Sequence, residues 1–260
     1  MTPTSARDIY NDGTYLQYNP DAHVSDSFFK FAQLLPLLDR IPVSPGQFSI
    51  LDIGGGAGVL GHLVSLYFSH RGADVRTIAV DVSSSMLDLQ RSNNPFIVET
   101  IAGDAATAFA RGQKFDLTLA IDVFEHMPNY QPTLRCIQNC SQWLICNMPI
   151  ERNLADVLRN TYMGNRYYAE QTRSLGHVHF LSYGRHLREF REYFDVQCLR
   201  FSPYWQLILQ VSSPDHRQQL QNRLRRIELL ISRAISTVAP WAAPWVIQGS
   251  CYSLSRSKRA

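Results

Sequence analysis

Short apolar runs alternate with helical stripes along most of this chain. Ile50, Leu51 and Ile53 form one run broken only by Asp52, and residues 75–80, 96–101, 115–121 and 143–148 repeat the form. Runs of this length bounded by turn residues predict buried strands. Between them, Val59, Leu60, Leu63, Val64 and Tyr67 recur with the helical period and predict a helix over 59–70. Ser83, Ser84 and Ser85 offer N-caps for a second helix carrying Met86, Leu87 and Leu89. Ahead of the first strand, a helix is predicted from Ser25 with Phe28, Phe31, Leu34, Leu35 and Leu38 on one face, ended by Pro42 and Pro45. Further on, a weaker helical signal runs through Leu154, Val157 and Leu158, followed by Tyr162, Tyr167 and Tyr168. Residues 176–180 alternate so that His177 and His179 fall on one side, 183–194 reads as a helix, and 196–201 and 249–255 read as the last two strands.

Strands alternating with helices predict an α/β fold with a doubly wound parallel sheet. The expected organisation is an N-terminal flap and covering helix (1–47), a core (48–202), a helical insertion (203–247), then a last strand and tail (248–260). Tyr10, Tyr15, Tyr18 and His23 give the flap the character of a packed arm or a substrate lid. In the insertion, Leu220, Leu224, Ile227, Ile231 and Ile235 recur at helical spacing, while Arg217, Arg223, Arg225, Arg226 and Arg233 make the other surfaces basic. Residues 234–247 are apolar but broken by Pro240 and Pro244. The expectation is a helix lying on the domain or at a dimer contact, with a membrane-surface helix as the alternative.

Composition changes this picture little. With 260 residues, 45% of them hydrophobic, the chain is long enough for a full core. A net charge of +3 is mild; only Lys30, Lys114 and Lys258 among the 25 basic residues are lysines, and the arginines are spread along the chain, so nucleic acid is not an expected partner. The five cysteines form no CxxC pair, which suits reduced thiols and a cytoplasmic location, peripheral at a membrane surface if the insertion faces lipid. No stretch has the length of apolar sequence a spanning helix needs.

The chemistry is concentrated where the predicted strands end. Gly54, Gly55, Gly56 and Gly58 follow the first strand, a turn that lets a ligand approach backbone N–H groups. Asp52, Asp81, Asp104 and Asp122 close four successive strands, with Glu125 and His126 just after the fourth and Asn147 at the fifth. Ligands of doubly wound sheets bind at those ends. Residues 56–61 match GxGxxG by letter, so a dinucleotide oxidoreductase is one candidate; but Asp52 and two further glycines intervene after the strand, and an acid there repels a pyrophosphate.

The full series resembles the class I S-adenosylmethionine-dependent methyltransferases of small-molecule type. LDIGGGAG looks like their first motif, Asp81 like the acid closing the second strand, GDA like the third-strand motif and FDLTLAIDVFEHMP like the fourth. The resemblance implies a Rossmann-like, seven-stranded sheet whose last strand is antiparallel, with the helical insertion between the last two strands. It implies S-adenosyl-L-methionine across the strand ends: Asp52, Gly54, Gly56 and Asp122 around the methionine moiety, Asp81 on the ribose hydroxyls, Val82 and Met86 against the adenine, and Asp104 and Ala105 at its edge. The implied activity is methyl transfer to a small or lipid-like metabolite, with oxygen the expected acceptor atom ahead of nitrogen or carbon, and His126, then His177, the expected base. A non-catalytic module that keeps the cofactor fold is the alternative from another class. The D-x-x-E-H pattern of 122–126 is similar to the E-x-x-E-H of ubiquinone-pathway O-methyltransferases and small-RNA 2′-O-methyltransferases, where magnesium orients adjacent hydroxyls. With His177 or His179 it offers a partial ligand set, but Asp in place of the first Glu shortens the reach, and the expectation here is a site without metal.

Overall fold

The computed structural model describes residues 24–110, 112–211 and 214–258; the predicted flap of 1–24 lies outside them except for Val24. The chain opens with α1 (Val24–Leu38), β1 (Gly46–Ile53), α2 (Val59–His70) and β2 (Ala73–Asp81). Next come α3 (Ser84–Asn93), β3 (Ile97–Ala102), α4 (Ala105–Phe109), β4 (Phe115–Ile121), a 3-10 turn (Phe124–His126), α5 (Gln131–Cys140) and β5 (Ser141–Ile150). The second half holds α6 (Leu154–Tyr162), α7 (Tyr167–Leu175), α8 (Tyr183–Tyr193), β6 (Phe194–Pro203), α9 (Tyr204–Gln210), α10 (Pro214–Gln221), α11 (Arg223–Val238), α12 (Ala243–Val246) and β7 (Gly249–Ser257).

The seven strands form one sheet in the order β3-β2-β1-β4-β5-β7-β6, with β7 antiparallel to both neighbours. Both faces are covered, which is why the strands read as nearly continuous apolar runs. In β5, Trp143 and Ile145 point to the α1 and α2 face, where Leu34, Leu37, Val64 and Phe68 meet them. Leu144, Cys146 and Met148 point to the other face, against Leu134 and Ile137 of α5 and Phe190 of α8. The side-chain period of two splits each strand between two cores.

Two expectations change here. The packed face of α1 is Ser27, Phe29, Lys30, Leu34, Leu37 and Leu38, with Phe31 and Leu35 partly buried, so of the predicted stripe only Phe28, 67% exposed, turns outward. Lys30 takes a place on the inner face; its reason appears at the site. Residues 176–180 form no strand: only Leu181 bridges Ile150, while the N–H groups of Val178 and His179 are held by the Glu125 carbonyl at 2.8 and 3.3 Å. This turns His177 and His179 to different partners.

Candidate active site

β1 and β4 pair directly, Asp52 beside Leu119 and Ile53 beside Ala120, although β2 and β3 separate them in the chain. The connections leaving β1 and β4 therefore diverge and open a crevice above their C-terminal ends. A cavity of about 550 Å³ occupies it, with Asp26, Ser27 and Lys30 of α1 on one side.

The glycine turn forms the floor. Gly58, at the start of α2, has φ 84, and a Cβ there would stand 2.7 Å from the Gln90 backbone. Gly61, one turn into α2, lies so close to Asp52 that a Cβ would meet Oδ2 at 2.3 Å. The Asp52 carboxylate is thus pressed beneath the turn, its Oδ2 buried without a hydrogen-bond partner. Burial, and then the charge of Asp81, pushes its pKa up to about 7.

At the end of β2, Asp81 accepts hydrogen bonds from the Ser83 N–H at 2.9 Å and Gln90 Nε2 at 3.2 Å, one on each oxygen. Burial raises its pKa against these bonds. Val82 and Met86 line the wall beside it. At the end of β3, Asp104 caps α4 by accepting from the Thr107 N–H and Oγ1, both at 3.2 Å, and Ala105 follows it into the cavity wall. Every residue expected to hold the cofactor lines this one cavity: Asp52, Gly54 and Gly56; Asp81, Val82 and Met86; Asp104, Ala105 and Asp122.

The end of β4 meets Lys30 of α1, a residue that the sequence did not single out. Asp122 takes φ 55, a left-handed conformation that aspartate tolerates better than most side chains. Its carboxylate meets Lys30 Nζ at 2.8 Å and accepts from Asn147 Nδ2 at 2.5 Å. Lys30 also pairs with Asp26 at 2.8 Å. Burial works to discharge this lysine, yet Asp122 and Asp26 together outweigh it and hold the ammonium charged. The available signal was a lysine set between phenylalanines in α1, four residues after Asp26.

At the end of the 3-10 turn, His126 lines the cavity and His177 stands behind it, the rings 4.9 Å apart and nearly perpendicular. His177 Nδ1 lies 2.9 Å from Glu151 Oε1, a contact that orients the ring and leaves Nε2 for other partners. His179 instead donates from Nε2 to the Met127 carbonyl at 2.8 Å and packs on Tyr130. Glu125 is almost fully buried. Burial, then the charges of Asp122 and Glu151, raises its carboxyl well above the ordinary range and favours the neutral acid. Glu125, His126 and His177 each offer a ligand atom within 4.8 Å of the others, close enough to share a cation. Glu151 was the other participant not found from sequence; it lies past the end of β5 with no motif around it.

Residues 50–145, which hold the first four strand ends, match the model of a family described as a methyltransferase domain. That stretch of the chain is thus similar to a methyltransferase domain. Among curated relatives, (S)-coclaurine N-methyltransferase of Thalictrum flavum subsp. glaucum is 30% identical over 119 residues. That stretch is 44% of this chain but only 30% of the relative, so the match covers less than a third of the relative's length. Phosphoethanolamine N-methyltransferase 2 of Haemonchus contortus superposes with a TM-score of 0.59 at 12% identity, covering 98% of this chain and 61% of the other. The cyclopropane synthase MmaA2 from Mycobacterium tuberculosis gives 0.57 at 13% identity, covering 86% and 83%. At these identities the two structures show a shared fold and nothing finer.

Proposed function

We propose that this protein transfers the methyl group of S-adenosylmethionine to a small or lipid-like acceptor, at oxygen. The observation that supports the reading is the convergence of all nine expected cofactor residues on one cavity at the sheet's switch point. The residues fit the group. A partnerless buried carboxylate oxygen on Asp52 under a turn too tight for side chains suits an ammonium, and the carboxylates of Asp81 and Asp122 add to the negative field. Lys30, the one lysine lining this wall, complements the methionine carboxylate.

When bound, S-adenosylmethionine supplies a methyl group made electrophilic by its sulfonium. The chain's own part is alignment and proton removal. Asp81, already held by Ser83 and Gln90, presents its remaining lone pairs to the ribose hydroxyls, and Met86 and Val82 give the adenine an apolar wall. His126 faces the cavity and takes the proton of an acceptor hydroxyl as the new bond forms; His177, oriented by Glu151, backs it. A hydroxyl needs such a base, and this is what favours oxygen as the acceptor atom, although the curated relative is named as an N-methyltransferase.

Calorimetry with S-adenosylmethionine, S-adenosylhomocysteine and NAD tests the cofactor. Binding of the first two and not of NAD is expected, and Asp81→Ala is expected to weaken it by about 2 kcal/mol through loss of charge-assisted hydrogen bonds. Binding of NAD alone would refute the assignment. S-adenosylhomocysteine release across panels of hydroxyl and amine acceptors then tests the acceptor atom; turnover confined to amines would replace oxygen by nitrogen.

A further inference from the structure

Helix α11 is inside out. Its inner side, turned to α9, α12 and β6, is polar: Arg225 pairs with Glu228 at 2.8 Å and reaches Gln248 Oε1 at 2.9 Å, and Glu228 also pairs with Arg159 of α6. Ser232 is buried there, and Ser236 accepts from Trp205 Nε1 at 2.9 Å. Leu229 is buried among them and Ile235 is half-buried; the remaining large apolar residues stand outside. Leu224 is 75% exposed, Leu230 64% and Val238 84%, with Ile227 and Ile231 about half exposed between them. At 100° per residue these five and Ala234 form one continuous outward strip of roughly a third of the circumference. The apolar period legible in the sequence was real, and of the placements left open there the one with the stripe packed on the domain is not found: Leu224, Ile227 and Ile231 face outward.

Three features say what covers the strip. Arg226 and Arg233 run along its flank and Arg223 stands within its arc at the N-terminal end, all exposed, while the helix's one acid, Glu228, is neutralised on the inner side. Trp241 and Trp245 follow directly, 80% and 52% exposed, and tryptophan favours the boundary between apolar and aqueous phases. No helix among the described residues is long and apolar enough to cross a membrane. An outward apolar strip, a cationic flank without opposing acids and a terminal tryptophan pair are the complement of an anionic bilayer surface, into which such a helix sinks parallel to the plane.

We infer that α11 and the 241–245 turn form a docking surface for anionic lipid membranes. The inference stands apart from the methyl-transfer reading, since neither the strip nor its flank belongs to the cavity. Vesicle co-sedimentation of the full chain tests it, using phosphatidylcholine alone and phosphatidylcholine mixed equally with phosphatidylglycerol at low salt. Binding to the anionic vesicles is expected, weakened at high salt. Ile227→Asp/Ile231→Asp should lower the partition by more than about tenfold, and Arg223→Glu/Arg226→Glu should abolish the preference for the anionic vesicles. Both pairs are surface positions, and an unchanged thermal melt by circular dichroism establishes that the variants fold. Wild type that stays in the supernatant with both vesicles would overturn the inference. So would binding that the aspartate pair leaves intact. A light-scattering dimer converted to monomer by that pair, without vesicle binding, would assign the strip to a second copy of the chain instead.

Discussion

Lys30 Nζ lies 2.8 Å from Asp122 Oδ2, so the helix that precedes the sheet is joined to the left-handed residue at the end of β4. The pair is mostly buried, and Asp26 completes it from the same helix. Lys30→Met keeps the length of the side chain but leaves two carboxylates without their cation. Removing one member of such a cluster costs about 3 kcal/mol, and denaturant unfolding should show it. Because the lysine also lines the cavity, S-adenosylmethionine affinity should fall in the same variant. An unaltered affinity would assign Lys30 to stability alone.

Asp52 makes cofactor affinity depend on pH. Its folded pKa of about 7 stands above the ordinary 3.8, so the fold favours the protonated acid. The stability this contributes is complete below the unfolded value and is lost as pH rises through about 7. A cationic ligand group beside the carboxylate has the opposite preference and holds it ionised. Binding of S-adenosylmethionine near pH 6.5 should therefore release a proton, and affinity should rise from pH 6 to pH 8. Calorimetry in buffers of different ionisation enthalpy measures the release directly; Asp52→Asn should remove it.

The strand ends were legible in the sequence because two independent patterns meet there: an apolar run that stops, and an acid at the stop. Asp52, Asp81, Asp104 and Asp122 satisfy both, and all four line one cavity. Other participants satisfy neither. Lys30 sits between phenylalanines in α1, where one polar residue looks like noise in the period, and Glu151 reaches His177 through a loop whose path depends on the Glu125 carbonyl. α11 shows the limit of periodicity itself. A helical period says that one face is apolar; it does not say which way that face turns, and here the partly buried ion pairs of Glu228 with Arg159 and Arg225 hold the polar face inward.

His186 carries an acid-labile weakness in the core. It is fully buried in α8, tilted against Phe190 with ring centroids 4.4 Å apart, and neither ring nitrogen has a hydrogen-bond partner. Burial lowers its pKa from 6.5 to about 4. The neutral ring's contribution is whole above 6.5 and is lost as pH falls toward 4, because the unfolded chain binds the proton first. His186→Leu places an apolar group of similar size there, so its stability at pH 7 should equal or exceed that of the wild type, and the decline between pH 6.5 and 4 should become shallower. Thermal melts across that range compare the two; an equally steep decline would trace the acid sensitivity to other groups.

His126 and His177 divide the proposed proton transfer between them. His126 lines the cavity and His177 meets its ring at 4.9 Å while held by Glu151, so the first touches the acceptor and the second positions the first. His126→Ala should bind S-adenosylmethionine nearly as the wild type does yet turn over about 10²- to 10⁴-fold more slowly, the usual cost of losing a general base. Glu151→Gln should have a smaller effect on turnover and leave S-adenosylmethionine affinity unchanged, since the contact that orients the His177 ring becomes weaker. The same three side chains that could share a cation, Glu125, His126 and His177, make a chelator the decisive control. Activity unchanged by chelation and by added magnesium is expected. Activity abolished by chelator and restored by magnesium would turn His126 from a base into a ligand, whereas full turnover in both His126→Ala and His177→Ala would leave alignment of the two substrates as the whole of the catalysis.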